Sequence, residues 1–302
     1  ASDLGAVTID TTGPTLSLSL AEDTGDSSAD GITSNDQINV SGLESGQAWQ
    51  YQTESSGSWF DGSGSSFSLN EGDYVSGQVQ VRQTDVAGNQ TIASDLGAVT
   101  IDTTNPSTLS ISLESDSGSS SDDQITNDGT INVAGVEDGA TWQYRYDGLL
   151  NWANGSGSSF ELPEGDYENV QIRQIDAAGN EGSFVDLGST VIDATNPSTL
   201  SISLESDSGS SSDDQITNDG TINVAGVEDG ATWQYRYDGL LNWANGSGSS
   251  FELPEGDYEN VQIRQIDAAG NEGSFVDLGP TVIDTTGPTL SLSLAEDTGD
   301  SS

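Results

Sequence analysis

Short runs of strictly alternating apolar and polar residues are the main signal in the chain. Thr15-Leu16-Ser17-Leu18-Ser19-Leu20 places its leucines on one face, and Gln37-Ile38-Asn39-Val40 alternates again. Ala48-Trp49-Gln50-Tyr51 sets two aromatics on one side. Ser66-Phe67-Ser68-Leu69, Gln78-Val79-Gln80-Val81-Arg82 and Val99-Thr100-Ile101 continue the pattern. A period of two over four to eight residues predicts half-buried strands, and no segment carries a 3.6-residue period of useful length. Clusters of Gly, Ser, Asn and Asp between the runs supply turn chemistry. The expected strands span 15–20, 37–43, 48–54, 65–69, 75–84 and 90–101.

The pattern is periodic on a longer scale. Ile9-Asp10-Thr11-Thr12-Gly13-Pro14 returns as Ile101-Asp102-Thr103-Thr104-Asn105-Pro106, then as Ile192-Asp193-Ala194-Thr195-Asn196-Pro197 and Ile283-Asp284-Thr285-Thr286-Gly287-Pro288. The Asp-to-Asp spacings are 92, 91 and 91, and residues 104–188 recur unchanged as 195–279. Residues 1–12 repeat 93–104, and 285–302 repeat 11–28. The chain reads as a window on a longer array. Residues 1–10 are the tail of one repeat; 11–102, 103–193 and 194–284 are three repeats; 285–302 is the head of another. A period near 91 exceeds that of solenoid repeats and suits a small self-contained domain. Roughly seven short strands per period predict an all-β fold: tandem immunoglobulin-like β-sandwich domains joined by short linkers, arranged as an extended rod. Trp49 stands where such a domain buries a Trp, and Tyr74 where it places a tyrosine corner. Both are expected to be core rather than site. The head, 285–302, lacks partner strands and is expected to be poorly tied down.

Charge sharpens the picture. Of 302 residues, 50 are Asp or Glu and five are Arg, with no Lys, His, Cys or Met, for a net charge of −45. Disulfides, thiolate nucleophiles, Cys/His zinc sites and His-based acid–base catalysis are excluded. Five arginines cannot form the basic stripe a nucleic-acid binder needs, and an anionic membrane surface would repel the chain. No run approaches the ~20 apolar residues of a membrane span, and no signal peptide opens the sequence. The hydrophobic share is 32%. Adding the 37 glycines brings it to about 44%, near that of globular domains, so a core is possible.

Hard oxygen ligands gather in two places. The first is a turn after the 75–84 strand: Asp85 with Asn89, Asp176 with Asn180, and Asp267 with Asn271. Asp10, Asp102 and Asp193 of the incoming linkers are expected at the same end of each domain. The second is an acidic loop after the first strand. It holds Asp23, Asp26 and Asp30, then Asp116, Asp122 and Asp123, then Asp207, Asp213 and Asp214. Calcium takes six to eight oxygens and suits both places; magnesium demands tighter geometry, and transition metals prefer nitrogen or sulfur. The alternatives are an ordinary hairpin turn and a solvated loop. Residues 105–193 hold 16 acids and two arginines, a charge of −14 whose self-repulsion a bound cation would relieve.

These motifs together resemble the calcium-binding bacterial Ig-like extender repeats of large RTX-type adhesins, secreted by the type I route. The carrying motifs are the Asp-Thr-Thr-x-Pro linker, the leucine-alternating first strand, the Asp-x-Gly-x-Ser acidic loop and the Trp-x-Tyr strand. A fifth motif, Val-x-Val-Arg-Gln-x-Asp-x-Ala-Gly-Asn, stands here as Val79-Gln80-Val81-Arg82-Gln83-Thr84-Asp85-Val86-Ala87-Gly88-Asn89. The resemblance covers essentially the whole chain and departs from it at Ala194, where other linkers have Thr. It implies a calcium-rigidified spacer on the outside of a bacterial cell that projects distal ligand-binding domains. It also implies linker calcium ligands at Asp10, Asp85, Asn89 and their equivalents. The expected partners are calcium ions and neighbouring repeats of the same chain. A monomer is expected, without nucleic acid, membrane or small-molecule substrate. A Ca-dependent carbohydrate- or surface-binding module is the alternative, resting on Trp59 with Phe60, Trp152 and Trp243. An enzyme is not expected, because a 91-residue sandwich leaves little room for a cleft between paired carboxylates.

Overall fold

A computed structural model describes residues 5–54 and 57–293. These fall into two compact units. One comprises the chain up to Ser112 with Ile131–Glu161 and Tyr167–Ser189. The other comprises Leu113–Thr130, Leu162–Asp166 and the chain from Thr190.

In the first unit, the opening repeat folds as ten short strands. They are β1 (Ser17–Leu20), β2 (Ile32–Thr33), β3 (Gln37–Ser41), β4 (Trp49–Gln52), β5 (Phe60–Asp61), β6 (Ser66–Ser68), β7 (Gly72–Tyr74), β8 (Gln80–Thr84), β9 (Gln90–Ala93) and β10 (Val99–Ile101). One sheet runs β1-β3-β6 and a second β5-β4-β8-β9, both antiparallel. A third small sheet, β2-β10-β7, pairs β10 parallel to β2. This is an immunoglobulin-like β-sandwich arrangement, and the fold is all-β as the alternation predicts. The inward residues form one cluster that includes Leu18, Ile38, Val40, Trp49, Phe67, Val81 and Ile101. The same unit holds a four-stranded sheet of the second repeat, built from Leu149–Asn154, Thr141–Tyr146, Val170–Ile175 and Val185–Asp186.

The second unit contains the third repeat. Ser201–Leu204, Thr221–Ala225 and Ser250–Glu252 form one of its sheets. Leu240–Asn245, Thr232–Tyr237, Val261–Ile266 and Val276–Asp277 form another. Its core gathers Leu200, Ile222, Val224, Trp233, Phe251, Val261, Ile263 and Ile283.

The two aromatic expectations hold. Trp49 is 5% exposed, and its indole N–H donates to Gly64 O at 3.0 Å. Tyr74 and Tyr258 donate their hydroxyls back to Asn70 O and Pro254 O, four residues upstream. Other strand expectations need correction. The run 75–84 is a strand only over Gln80–Thr84, because a turn in which Gln78 N–H donates to Val75 O at 3.0 Å precedes it. The run 90–101 is two strands in two sheets, not one. Between them, the Asp95 carboxylate accepts the Leu18 N–H at 2.9 Å and Leu96 is buried. A carboxylate that serves a foreign strand must leave its own ladder, so the chain changes sheet there. The edge strands β5 and Leu149–Asn154 were not expected, because Trp-Phe-Asp and Leu-Leu-Asn-Trp-Ala-Asn do not alternate.

Ile222 has no exposed surface. Its truncation in Ile222→Ala is expected to cost about 2–5 kcal/mol, through lost transfer energy and the cavity left behind. Chemical denaturation checks this; a cost under about 1 kcal/mol would mean that the site collapses freely around the hole.

Candidate functional site

The Asp-to-Asn turns form hydrogen-bonded clasps. Asp85 Oδ1 accepts the N–H groups of Ala87 and Asn89, each at 2.8 Å. Asp85 Oδ2 accepts Asn89 Nδ2 at 2.8 Å, and the same amide donates to the carbonyl of linker Asp10 at 3.1 Å. The other turns repeat this. Asn180 donates to Asp176 and to Asp102 O at 2.8 Å, and Asn271 donates to Asp267 and to Asp193 O at 2.7 Å. Turn and linker therefore meet as the spacing predicts, but through an amide N–H and a backbone carbonyl. The linker side chains do other work: Asp10, Asp102 and Asp193 each accept the N–H two residues on. Hydrogen bonds to its charged form, that from Asn89 foremost, hold the Asp85 carboxyl below its usual value.

The acidic loops differ in kind. Asp23 Oδ2 accepts the Gly31 N–H, Asp116 Oδ2 that of Gln124, and Asp207 Oδ2 that of Gln215, at 3.1–3.2 Å. The Oδ1 atom of each of these three aspartates is buried and has no hydrogen-bond partner. Asp30, Asp123 and Asp214 each use Oδ1 to cap the N–H two residues on. Asp26, Asp122 and Asp213 are exposed. The base of each loop is pinned by a buried threonine, whose hydroxyl donates to Glu22 O (Thr33), Ser115 O (Thr126) or Ser206 O (Thr217). Gln124 and Gln215 hold φ of 57° where the first repeat has Gly31 at 75°. Two of the three loops therefore carry a strained non-glycine residue beside the aspartate.

The residue after the donorless aspartate reaches the following repeat. In the first unit, the Thr24 hydroxyl donates to Ala178 O at 2.5 Å, and Ser34 N–H donates to the same carbonyl at 3.1 Å. In the second unit, the Ser117 hydroxyl donates to Ala269 O at 2.6 Å. Ala178 and Ala269 lie within the Asp176–Asn180 and Asp267–Asn271 turns. The two acidic places, separate in sequence, thus converge: one repeat's loop touches the next repeat's turn. A Cβ on Gly25 would stand 2.1 Å from Ala177 O, and one on Gly118 would stand 2.0 Å from Ala268 O, so each contact requires glycine.

As sites for a cation, the two donor sets are unequal. The clasp carboxylates already accept several N–H groups, whereas the buried Oδ1 of Asp23, Asp116 and Asp207 has a lone pair and no donor. Burying such an oxygen costs free energy unless something replaces its water. It is the oxygen that could take a hard cation such as calcium, with backbone carbonyls and water as further ligands. Among the described residues no three acidic side chains converge on one point.

Several contributing residues gave no clear sequence signal. Glu71, Glu164 and Glu255 clamp the linker threonines. Glu71 accepts both Thr103 and Thr104, Glu255 accepts Thr285 and Thr286, and Glu164 accepts only Thr195, because Ala194 replaces the other hydroxyl. The recurring Glu-Gly-Asp-Tyr was the available clue. Buried Gln174 accepts Glu137 N–H and donates to Ser107 O just past the linker proline; Gln265 repeats this with Glu228 and Ser198. The aromatics proposed for ligand contact are packed against cations. Arg82 lies 4.2 Å from the Trp59 ring centre, Arg145 and Arg173 lie 4.5 and 4.6 Å from that of Trp152, and Arg236 and Arg264 match them on Trp243. Phe60 is half-exposed and packs on Tyr51, with ring centres 5.6 Å apart.

No protein-family model matches the chain, and no curated protein matches it. Among solved structures, it aligns with the FN1–FN3 domains of chicken CNTN1 at 13% identity and a TM-score of 0.31, over 89% of this chain and 99% of that one. It also aligns with the fibronectin(III)-like modules of Clostridium thermocellum CbhA at 8% identity and a TM-score of 0.34, over 58% of this chain and 94% of that one. Scores this low carry no argument about function, and the fold assignment rests on the strand pairing above.

The glutamate clamp has a pH signature. Threonine hydroxyls bonding the charged form hold the Glu71 and Glu255 carboxyls below their usual 4.5. A lowered folded value means the clamp's contribution is complete above pH 4.5 and is lost as pH falls through the folded midpoints. A carbon-detected NMR titration is expected to place both midpoints under 4.5. A midpoint at or above that value would show that the clamp does not form.

Proposed function

We propose that the chain is a structural extender of a bacterial surface adhesin. Its immunoglobulin-like repeats, stiffened by calcium, hold distal ligand-binding domains away from the cell. The observation that carries this reading is the buried, donorless Oδ1 of Asp23, Asp116 and Asp207, repeated in the three acidic loops among the described residues. In two of those loops the next residue bonds to the following repeat. Asp23, Asp116 and Asp207 would hold the ion, with further oxygens from their own loops. Bound calcium supplies the positive charge that this oxygen and the acidic surface lack. An ion that binds only the folded state adds about 2.7 kcal/mol at a hundredfold excess over its Kd. Because the loop also carries the contact to the next repeat, ordering it would order the junction. Near-verbatim duplication agrees with a spacer, since reach grows with copy number. The extracellular location and monomeric state belong to the same proposal.

Small-angle X-ray scattering of the whole chain tests it. With millimolar calcium, the three sandwiches are expected to give one extended, narrow distribution of interatomic distances. Excess chelator is expected to broaden that distribution, and Asp116→Asn to weaken the calcium response without unfolding the chain. A scattering curve indifferent to calcium would overturn the reading.

A further inference from the structure

In each repeat one Asx-Gly pair sets its glycine against the core tryptophan: Asp61-Gly62, Asn154-Gly155 and Asn245-Gly246. The glycine lies flat on the core indole. A Cβ on Gly62 would stand 2.2 Å from Trp49, and Cβ atoms on Gly155 and Gly246 would stand 2.3 Å from Trp142 and Trp233. No other residue fits without displacing the ring at the centre of the sandwich. Asn-Gly is also the dipeptide in which the following backbone nitrogen is least shielded, because glycine has no side chain.

We propose that Asn154-Gly155 and Asn245-Gly246 are latent deamidation sites, held shut by strand pairing at the edge of the sandwich. The chemistry needs only water. The Gly155 amide nitrogen gives up its proton and attacks the Asn154 side-chain carbonyl carbon; the new C–N bond forms, the Cγ–Nδ2 bond breaks, and Nδ2 takes the proton and leaves as ammonia, giving a cyclic imide. Water then opens the imide to aspartate or isoaspartate. In the folded chain both reacting groups are engaged. Gly155 N–H donates to Trp142 O at 2.8 Å, and Asn154 Oδ1 accepts Gln143 Nε2 at 3.0 Å. Gly246 with Trp233, and Asn245 with Gln234, repeat both bonds at the same distances. Closing the ring therefore requires the Thr141–Tyr146 and Leu149–Asn154 pair, or its counterpart in the third repeat, to open first.

The first repeat shows that the fold accepts the aspartate product. Asp61 occupies the equivalent position, and its Oδ1 accepts Gln50 Nε2 at 2.8 Å, while Gly62 N–H donates to Trp49 O at 2.8 Å. Conversion to aspartate would add one negative charge per site and keep the bond pattern. Conversion to isoaspartate inserts a backbone carbon, moves the glycine off the ring and spoils the edge.

The test incubates the full chain at mildly alkaline pH, folded and in denaturant, and follows both sites by peptide mass spectrometry. Hydrogen exchange of the Gly155 and Gly246 amides is read in parallel. Both sites are expected to convert readily in denaturant and at least ~10-fold more slowly when folded, with amide exchange slowed in step. Equal rates in the two states would overturn the proposal, as would slow conversion in denaturant or fast folded-state conversion beside protected amides. Asn154→Asp is expected to fold as stably as the parent chain; a clear loss of stability would refute the claim that the product is tolerated.

Discussion

One side-chain amide fixes where each repeat begins. Asn89, Asn180 and Asn271 each bind the carbonyl of a linker aspartate while holding their own turn aspartate. The carbonyl lies outside any sheet and would otherwise depend on water. Held this way, the linker runs past the turn in a fixed register. The proline after it then reaches the first strand, where a buried glutamine secures the next carbonyl in the second and third repeats. The glutamate clamp acts on the other side of the same short segment. Polar groups with specified partners thus hold the linker beside its buried proline.

That dependence explains why some features were legible in the sequence and others were not. Period-two alternation exposed the core strands, because burial on one face leaves a pattern in composition. Trp49 and Tyr74 were readable from their positions. The exchange of strand between sheets near Asp95 was not, since a carboxylate that captures the backbone of another strand looks like any turn aspartate. Gln83, Gln174 and Gln265 follow arginine in exposed-looking runs, yet they are buried and bonded to backbone. The acidic residues were found as candidates, but their division into satisfied clasps and donorless loop oxygens follows from geometry alone.

The junction also shows how sequence identity can hide mechanical difference. The second and third repeats are the same over residues 104–188 and 195–279, so their clasps match closely. The linker between them carries Ala194, and Glu164 there holds one hydroxyl where Glu71 and Glu255 hold two. Copies of one domain are thus joined by segments with unequal numbers of tethers.

The placement of the arginines has a consequence for the molecule's exterior. All five lie against tryptophan rings, and Arg173 and Arg264 also pair with Glu181 and Glu272. The few cations are thus taken up by intramolecular partners, while the acids dominate what another particle meets. Such a chain behaves as a polyanion, and two copies that approach one another repel. That repulsion follows the ionic strength, with a screening length of about 10 Å at 0.1 M salt and a shorter one in more saline water.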